Sequence, residues 1–176
     1  MKDLSSLSRR YRRKTRIVSL FLLFLLFFSS SGEGWLGWFE DEQVCGHIKD
    51  IKLENLTGQE VFLRSYIGNS PLLLVFWDTF CPYCLEAIRR LAYLSSSKEI
   101  TTKIVLINIS GRKERARRFL KHFKNAPFII LFDKQGRLTM DCKVIGIPTF
   151  VFLNKEGEIK FIGNFLPQEY LYQDQG

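Results

Sequence analysis

An unbroken apolar run at Leu72–Trp77 most constrains how this chain can fold. The run reads LLLVFW, whereas a strand with one face in solvent would alternate polar and apolar residues. Across residues 84–94, apolar side chains then recur at the spacing of a helix that packs one face on a core. We therefore predict a central parallel strand, covered on both faces, followed directly by a helix.

The same kind of pattern continues on both sides of this unit. Further strands are expected at residues 103–109, Phe128–Phe132, Thr149–Leu153 and 158–162. Further helices are expected at residues 111–124 and 138–145, with a helical stub at 167–172. Alternation at residues 51–56 and a turn before residues 61–63 predict a β-hairpin. The sequence thus predicts an α/β fold, with a central mixed sheet flanked by helices and an N-terminal β-hairpin.

The net charge of +8 does not make the folded part basic. Residues 1–16 carry a net charge of +6, which leaves only +2 on the rest of the chain. A second basic cluster lies on the predicted helix 111–124, opposite its apolar residues, and we interpret it as a solvated face. This basic cluster comprises Arg112, Lys113, Arg115, Arg117, Arg118, Lys121 and Lys124. We therefore predict no nucleic-acid partner.

The N-terminal segment predicts export. Residues 17–28 are apolar, follow the basic start and precede small residues, which is the order of a secretory signal rather than of a buried helix. The uncharged stretch, residues 17–32, is short for a membrane crossing of about 20 residues, so cleavage and anchoring both stay open. Basic residues before the stretch favour a folded part outside the cytoplasmic membrane, in the periplasm.

The predicted domain plan follows from that segment. Residues 1–31 form a signal peptide or membrane anchor, and the glycine-containing, acidic residues 32–44 form a linker. One domain occupies residues 45–166, followed by a C-terminal tail at 167–176. A chain of 176 residues is long enough for one domain with a hydrophobic core.

Cys81 and Cys84 stand where a buried strand has just ended and a helix begins. Free amide groups and the helix dipole at such a position stabilise a thiolate, the attacking species in disulfide exchange. Cys84 follows after nearly one helical turn, so it could attack a mixed disulfide formed at Cys81. Pro82 suits the first turn because its missing amide hydrogen costs nothing there. We predict Cys81 as nucleophile and Cys84 as resolving thiol, with no cofactor.

A cysteine pair of this spacing also binds zinc or copper(I) in some proteins. A structural zinc site usually needs a second pair of ligands, and the other candidates are scattered along this sequence. These candidates are Cys45, His47, His122 and Cys142. Redox chemistry is therefore the favoured interpretation, and a metal-binding module is the alternative.

Two motifs together resemble the thioredoxin superfamily. They are residues 75–84, VFWDTFCPYC, and the later Gly146-Ile147-Pro148-Thr149. The leading hairpin, the export signal and residues 150–157, FVFLNKEG, resemble its exported TlpA/ResA branch of thiol-disulfide oxidoreductases. The resemblance covers about residues 45–165 and implies a thioredoxin-like fold that exchanges disulfides with protein substrates outside the cytoplasmic membrane.

The resemblance also implies roles for individual residues. Pro148 would be preceded by a cis peptide bond beside the cysteine pair, and Ile147 would offer backbone hydrogen bonds to bound substrate. Pro82 and Tyr83 are placed at the same substrate-binding surface. Ile147 and the absence of histidine between the cysteines favour reduction, which requires a membrane electron donor, or an acceptor if the enzyme oxidises its substrates. We expect a monomer.

One departure bears on the direction of transfer. Val75 stands where thioredoxin has a buried acid that accepts the proton of the resolving thiol. Asp78 and Glu86 are candidate substitutes, although both side chains could simply be solvated.

The other two cysteines, Cys45 and Cys142, form the pair that remains in an exported chain with four cysteines. We predict a structural disulfide between them. The alternative is two buried thiols.

Overall fold

The structure is a computed structural model that describes residues 44–97 and 100–172. The proposed signal or anchor segment at residues 1–31 and nearly all of the linker lie outside these ranges. Within them, no helix combines the length and apolar character that a membrane crossing requires.

Seven strands form one mixed sheet in the order β2-β1-β5-β4-β3-β6-β7. The strands are β1 (Lys52–Asn55), β2 (Glu60–Phe62), β3 (Leu72–Trp77), β4 (Lys103–Asn108), β5 (Phe128–Phe132), β6 (Thr149–Leu153) and β7 (Ile159–Gly163). The helices are α1 (Pro82–Ser97), α2 (Lys113–Leu120) and α3 (Arg137–Asp141). Short 3-10 helices occupy Leu63–Tyr66, Lys121–Phe123 and Gln168–Leu171. The predicted mixed sheet with flanking helices is confirmed.

Strand β3 lies in the interior of the sheet, beside the middle strand β4. It pairs in parallel with β4 and antiparallel with β6, and β4 pairs in parallel with β5. The N-terminal hairpin joins the same sheet, because β1 pairs antiparallel with β5. The hairpin of β6 and β7 forms the opposite edge. The end of β3, where Cys81 follows, is therefore held by neighbours on both sides.

The sheet separates two hydrophobic cores because successive side chains of a strand point to opposite faces. Leu72, Leu74 and Phe76 belong to the core that contains α3, whereas Leu73, Val75 and Trp77 belong to the core beneath α1 and α2. All six side chains are fully buried. Each large apolar side chain contributes about 1.5–3 kcal/mol by leaving water. This arrangement explains the unbroken apolar run.

Two helices are shorter than the sequence pattern predicts. Residues 111–124 give α2 and then a 3-10 turn, and the helix begins only after Gly111, whose φ of +67° is left-handed. Helix α3 ends at Asp141 rather than Ile145, because Lys143 has a φ of +48°. Left-handed backbone interrupts a right-handed helix. Apolar spacing gives no sign of either conformation.

Residues 167–172 pack against the core beneath α1 and α2. Leu171 is fully buried, and the Tyr170 ring stacks on Phe152 with 4.4 Å between ring centroids. The Thr102 hydroxyl donates to the Tyr170 carbonyl at 2.6 Å. These contacts link the C-terminal residues to the start of β4.

Candidate active site

A turn at Asp78 carries the chain from β3 to the first residue of the cysteine pair. The Asp78 carboxylate accepts the Phe80 amide hydrogen at 2.9 Å and the Thr79 hydroxyl at 3.3 Å. Its backbone carbonyl accepts the Cys81 amide hydrogen at 3.2 Å. An aspartate that bonds the backbone two residues ahead forms a local turn without help from elsewhere. Asp78 thereby fixes where Cys81 lies.

The two cysteines differ in exposure although they are joined by a disulfide in the structure. Cys81 immediately precedes α1 and is half-buried, whereas Cys84 lies inside the first turn and is fully buried. The Cys84 amide donates to Cys81 Sγ at 3.1 Å. An outside thiol or disulfide can therefore reach Cys81 and not Cys84.

A second loop reaches the cysteine pair from the start of β6. The Ile147–Pro148 peptide bond is cis, and the Ile147 carbonyl oxygen lies 3.6 Å from Cys81 Sγ. The Asn164 side-chain amide donates to the Pro148 carbonyl at 2.8 Å and to the Thr149 hydroxyl at 3.0 Å. Sequence reasoning missed Asn164, which belongs to no motif and acts through a contact 16 residues away.

Apolar side chains around this pair are open to solvent. Tyr83 is 80% exposed, Phe80 is 57% exposed, and Pro82 is also exposed. Ile145, two residues before Ile147, is completely exposed. Exposed apolar side chains that gather around a reactive group favour contact with another protein. The sequence prediction names neither Phe80 nor Ile145 as a substrate-binding residue.

No carboxylate hydrogen-bonds to Cys84 within the described part of the chain. Val75 and Trp77 share the buried apolar cluster with Cys84. The Asp78 carboxylate is engaged by its own turn, and Glu86 is exposed and forms an ion pair with Arg89 at 3.4 Å. Neither candidate for the missing acid contacts the resolving cysteine.

Cys45 and Cys142 are joined by a disulfide on the other face of the sheet. They are 3% and 2% exposed. The Cys45 amide donates to the Asp141 carbonyl at 2.8 Å, and the Asp141 carboxylate accepts the His47 amide at 3.1 Å. His47 Nδ1 lies 3.0 Å from the same carboxylate. These contacts hold the start of the described chain against the end of α3.

His47 and His122 do not join the cysteines in a metal site. Across residues 44–97 and 100–172, no three side chains of His, Cys, Asp or Glu lie together as metal ligands would. The structure instead brings together the six residues predicted for a redox site. They are Cys81, Pro82, Tyr83, Cys84, Ile147 and Pro148.

A cysteine pair at the start of a helix, lying beside a loop with a cis proline, is the arrangement of a thioredoxin-like fold. The family model described as Redoxin matches residues 43–166. The chain belongs to this Redoxin family of the thioredoxin superfamily.

Relatives with described activities support the same assignment. The chain is 29% identical over 115 residues to the thiol:disulfide interchange protein DsbE of Vibrio cholerae, covering 65% of this chain and 61% of that protein. It is 29% identical over 108 residues to the thiol-disulfide oxidoreductase ResA of Halalkalibacterium halodurans, covering 61% and 60%. The chain thus spans about three fifths of the length of these relatives.

Solved structures support the fold. A secreted disulfide oxidoreductase of Mycobacterium tuberculosis, homologous to DsbE of E. coli, superposes with a TM-score of 0.58 and is 22% identical. The match covers 69% of this chain and 88% of that one. A putative DsbE from Chlorobium tepidum gives a TM-score of 0.56 at 24% identity, covering 68% and 84%. The thioredoxin-like fold is therefore confirmed.

Proposed function

We propose that this protein is a thiol-disulfide oxidoreductase that exchanges disulfides with protein substrates. The observation that carries the proposal is the difference between the two cysteines. Cys81 is accessible at a helix start, with its sulfur 3.6 Å from the Ile147 carbonyl, while Cys84 is buried directly behind it. The similarity to DsbE and ResA supports the same activity.

In the reductive direction, the Cys81 thiolate attacks one sulfur of a substrate disulfide. A mixed disulfide forms, and the other substrate sulfur leaves as a thiolate that takes up a proton. Cys84 then loses its proton and attacks Cys81 Sγ, which forms the Cys81–Cys84 disulfide and releases the second substrate thiol. Two electrons have passed from the protein to the substrate.

We assign substrate binding to the surface around Cys81. Tyr83 and Pro82 offer exposed apolar area, and the backbone of Ile147 offers hydrogen bonds to an extended substrate segment. The 3.6 Å distance between the Ile147 carbonyl oxygen and Cys81 Sγ supports this assignment. Asn164 supports the loop by donating to the Pro148 carbonyl.

We further propose that the enzyme works outside the cytoplasmic membrane as a monomer. Residues 1–31 would export it as a cleaved signal peptide or hold it in the membrane as an anchor, with residues 32–44 as linker. A reductase there needs a membrane electron donor that returns Cys81 and Cys84 to the dithiol form. Mass spectrometry of the protein recovered from an exporting host would distinguish cleavage from retention.

The proposed direction is reduction, and the redox potential tests it. Equilibration with glutathione should give a value closer to about −270 mV, as for thioredoxin, than to about −120 mV, as for a strong oxidant. A value near the oxidising limit would overturn the direction and leave the exchange activity intact.

A trapping experiment tests the exchange activity. In a Cys84→Ser variant the mixed disulfide cannot resolve, so protein adducts should accumulate at Cys81 and be identifiable by mass spectrometry. The matched control is Cys81→Ser/Cys84→Ser, which should yield none. Absence of adducts dependent on Cys81, together with stoichiometric zinc or copper and no insulin reduction, would favour the metal-binding alternative.

A further inference from the structure

Phe80, the residue before the nucleophile, contacts the basic cluster at residues 112–124. Phe80 is 57% exposed, and two guanidinium groups lie against its ring. The Arg112 Cζ atom is 4.6 Å from the ring centroid, and the Arg115 Cζ atom is 4.5 Å from it. At such distances the quadrupole of the ring attracts each guanidinium group. Two positive charges therefore lie against the residue that immediately precedes Cys81.

Arg115 also begins a groove between α1 and α2. The groove is lined by Arg89, Arg115, Arg118, Phe119, His122 and Phe123. Phe119 and Phe123 meet edge to face at 5.2 Å, and Phe119 contacts the buried Trp77 at 5.8 Å between centroids. The aromatic floor is thus anchored in the core, while the rim is cationic. Arg115 links the groove to the residue before Cys81, because its guanidinium lies against the Phe80 ring.

Of the arginines along the groove and against Phe80, Arg89 pairs with Glu86 at 3.4 Å, whereas the other three have no acidic partner among the described residues. Within residues 44–97 and 100–172, no carboxylate lies within ion-pair distance of Arg112, Arg115 or Arg118. Basic residues on the remainder of α2 are engaged differently, since Lys113 pairs with Glu54 and Arg117 donates to the Leu56 carbonyl. Several unpaired charges of one sign create a local potential that attracts the opposite charge.

We propose that this groove docks an acidic segment of the protein substrate beside the disulfide that Cys81 attacks. The inference rests on the proposed oxidoreductase function and adds the substrate class: proteins whose target cysteine lies near glutamates or aspartates, with an apolar residue for the aromatic floor. Charge complementarity favours an acidic ligand. The contact of Arg115 with Phe80, the residue next to Cys81, favours a ligand that also carries the target disulfide. A solvated basic face, which the sequence suggested, accounts for neither the Phe80 contacts nor the aromatic floor.

Two disulfide-cyclised peptides test the proposal. They are identical except that one carries glutamates where the other carries glutamines. The reduced full-length protein is mixed with each peptide, quenched in acid and separated by chromatography to obtain second-order rate constants. At about 10 mM ionic strength we expect the acidic peptide to react about tenfold faster. At about 1 M salt, where the Debye length is about 3 Å, the ratio should fall to less than about twofold.

Two double variants that change the net charge by the same amount test whether the groove causes the preference for the acidic peptide. Arg115→Glu/Arg118→Glu should abolish or invert the preference for the acidic peptide. Lys121→Glu/Lys124→Glu is the matched control, because it makes the same charge change just beyond α2 on residues that line a different cavity. The control should keep the tenfold ratio.

Each other outcome overturns the proposal in a distinguishable way. If both double variants lower the ratio equally, overall net charge and not the groove sets the preference. If the wild-type protein reduces both peptides at one rate, the docking proposal fails and the oxidoreductase function stands. If it then binds phosphatidylglycerol vesicles through Arg115 and Arg118, the groove faces a membrane instead. If it reduces neither peptide, both proposals fail.

Discussion

The two disulfides of this protein have the same bond chemistry and opposite surroundings. Cys45 and Cys142 are separated by 97 residues, and both are almost completely buried on the α3 face of the sheet. Cys81 and Cys84 are separated by 3 residues, and Cys81 lies at the surface at the start of α1. One pair closes nearly the whole domain, whereas the other closes a single helical turn.

This difference separates stability from reactivity. A disulfide that closes a long loop restricts the unfolded chain strongly, while one that closes a short loop restricts it little. Exchange, by contrast, requires an attacking group to reach a sulfur atom. Cys81 is accessible and the Cys45–Cys142 bond is not. We therefore expect the Cys81–Cys84 pair to carry out exchange and the Cys45–Cys142 pair to stabilise the fold. The following substitutions test that division.

The largest expected effect is on catalysis. Cys81→Ser should lower insulin reduction by on the order of a thousandfold or more, because removing a covalent nucleophile removes the pathway itself. Turbidity of reduced insulin measures the rate. As control, Cys45→Ser/Cys142→Ser should keep its rate within about threefold at a temperature where the variant is folded. If this control lost activity as severely as Cys81→Ser, the division of roles would be wrong.

The next largest expected effect is on stability, where loss of the Cys45–Cys142 pair should matter more than loss of the Cys81–Cys84 pair. Cys45→Ser/Cys142→Ser should lower the free energy of unfolding by about 4 to 5 kcal/mol in the chain-entropy model, and often by less in practice. Cys81→Ser/Cys84→Ser should cost less than half as much, since its loop is so short. Urea unfolding of the oxidised forms gives both values. Peptide mapping without reductant checks the pairing, and free thiols at Cys45 and Cys142 in exported protein would contradict it.

A smaller effect concerns the turn that presents Cys81. Asp78→Ala should lower the free energy of unfolding by about 1 to 2 kcal/mol, because the Phe80 amide loses its acceptor. It should also slow exchange several-fold by loosening the position of Cys81. Asp78→Asn keeps an acceptor oxygen and should stay within about twofold of the wild-type rate. An Asn variant as slow as the Ala variant across the pH range would instead indicate that the carboxylate accepts a proton.

Much of the fold followed from local pattern, and the rest depends on pairing between distant residues. The apolar run of β3 and the periodicity of α1 identified the strand and helix that carry the cysteines. The position of β1 beside β5 is a contact between segments about 75 residues apart, and alternation within β1 carries no information about it. The end of α3 depended on the left-handed backbone of Lys143, a conformation that lysine rarely adopts.

The candidate site divides in the same way. Cys81, Cys84 and Pro148 belong to motifs whose chemistry can be predicted from residue type and spacing. Asn164 and the two arginines against Phe80 become visible only when the sheet brings residues from different segments together. The sequence alone identifies the basic cluster at residues 112–124, but which of its charges lie against Phe80 depends on the packing of this segment in the fold.

The smallest expected effect concerns an exposed ion pair at the start of β7. The side chains of Glu158 and Lys160 form a hydrogen bond and ion pair at 2.7 Å at the solvent-exposed edge of the sheet. Lys160, and then Asn154, hold the pKa of Glu158 below its ordinary value of 4.5, and Glu158 raises the pKa of Lys160. Lys160→Met should therefore move the pKa of Glu158 upward, which NMR titration of the carboxyl carbon measures. Insulin reduction should stay at the wild-type rate.

The sign of the accompanying stability change follows from linkage. A carboxyl group whose pKa is lowered on folding stabilises the folded state above its unfolded pKa, and this contribution disappears as the pH falls through the folded pKa. The raised pKa of Lys160 adds a contribution that is lost only in strong base. The free energies of unfolding of wild type and Lys160→Met should therefore differ slightly at neutral pH and become equal in acid. The control is Lys134→Met, because Lys134 has no acidic partner in the described chain. Its free energy of unfolding should not approach that of wild type as the pH falls. A large stability loss at neutral pH would contradict the expectation that exposed pairs contribute little.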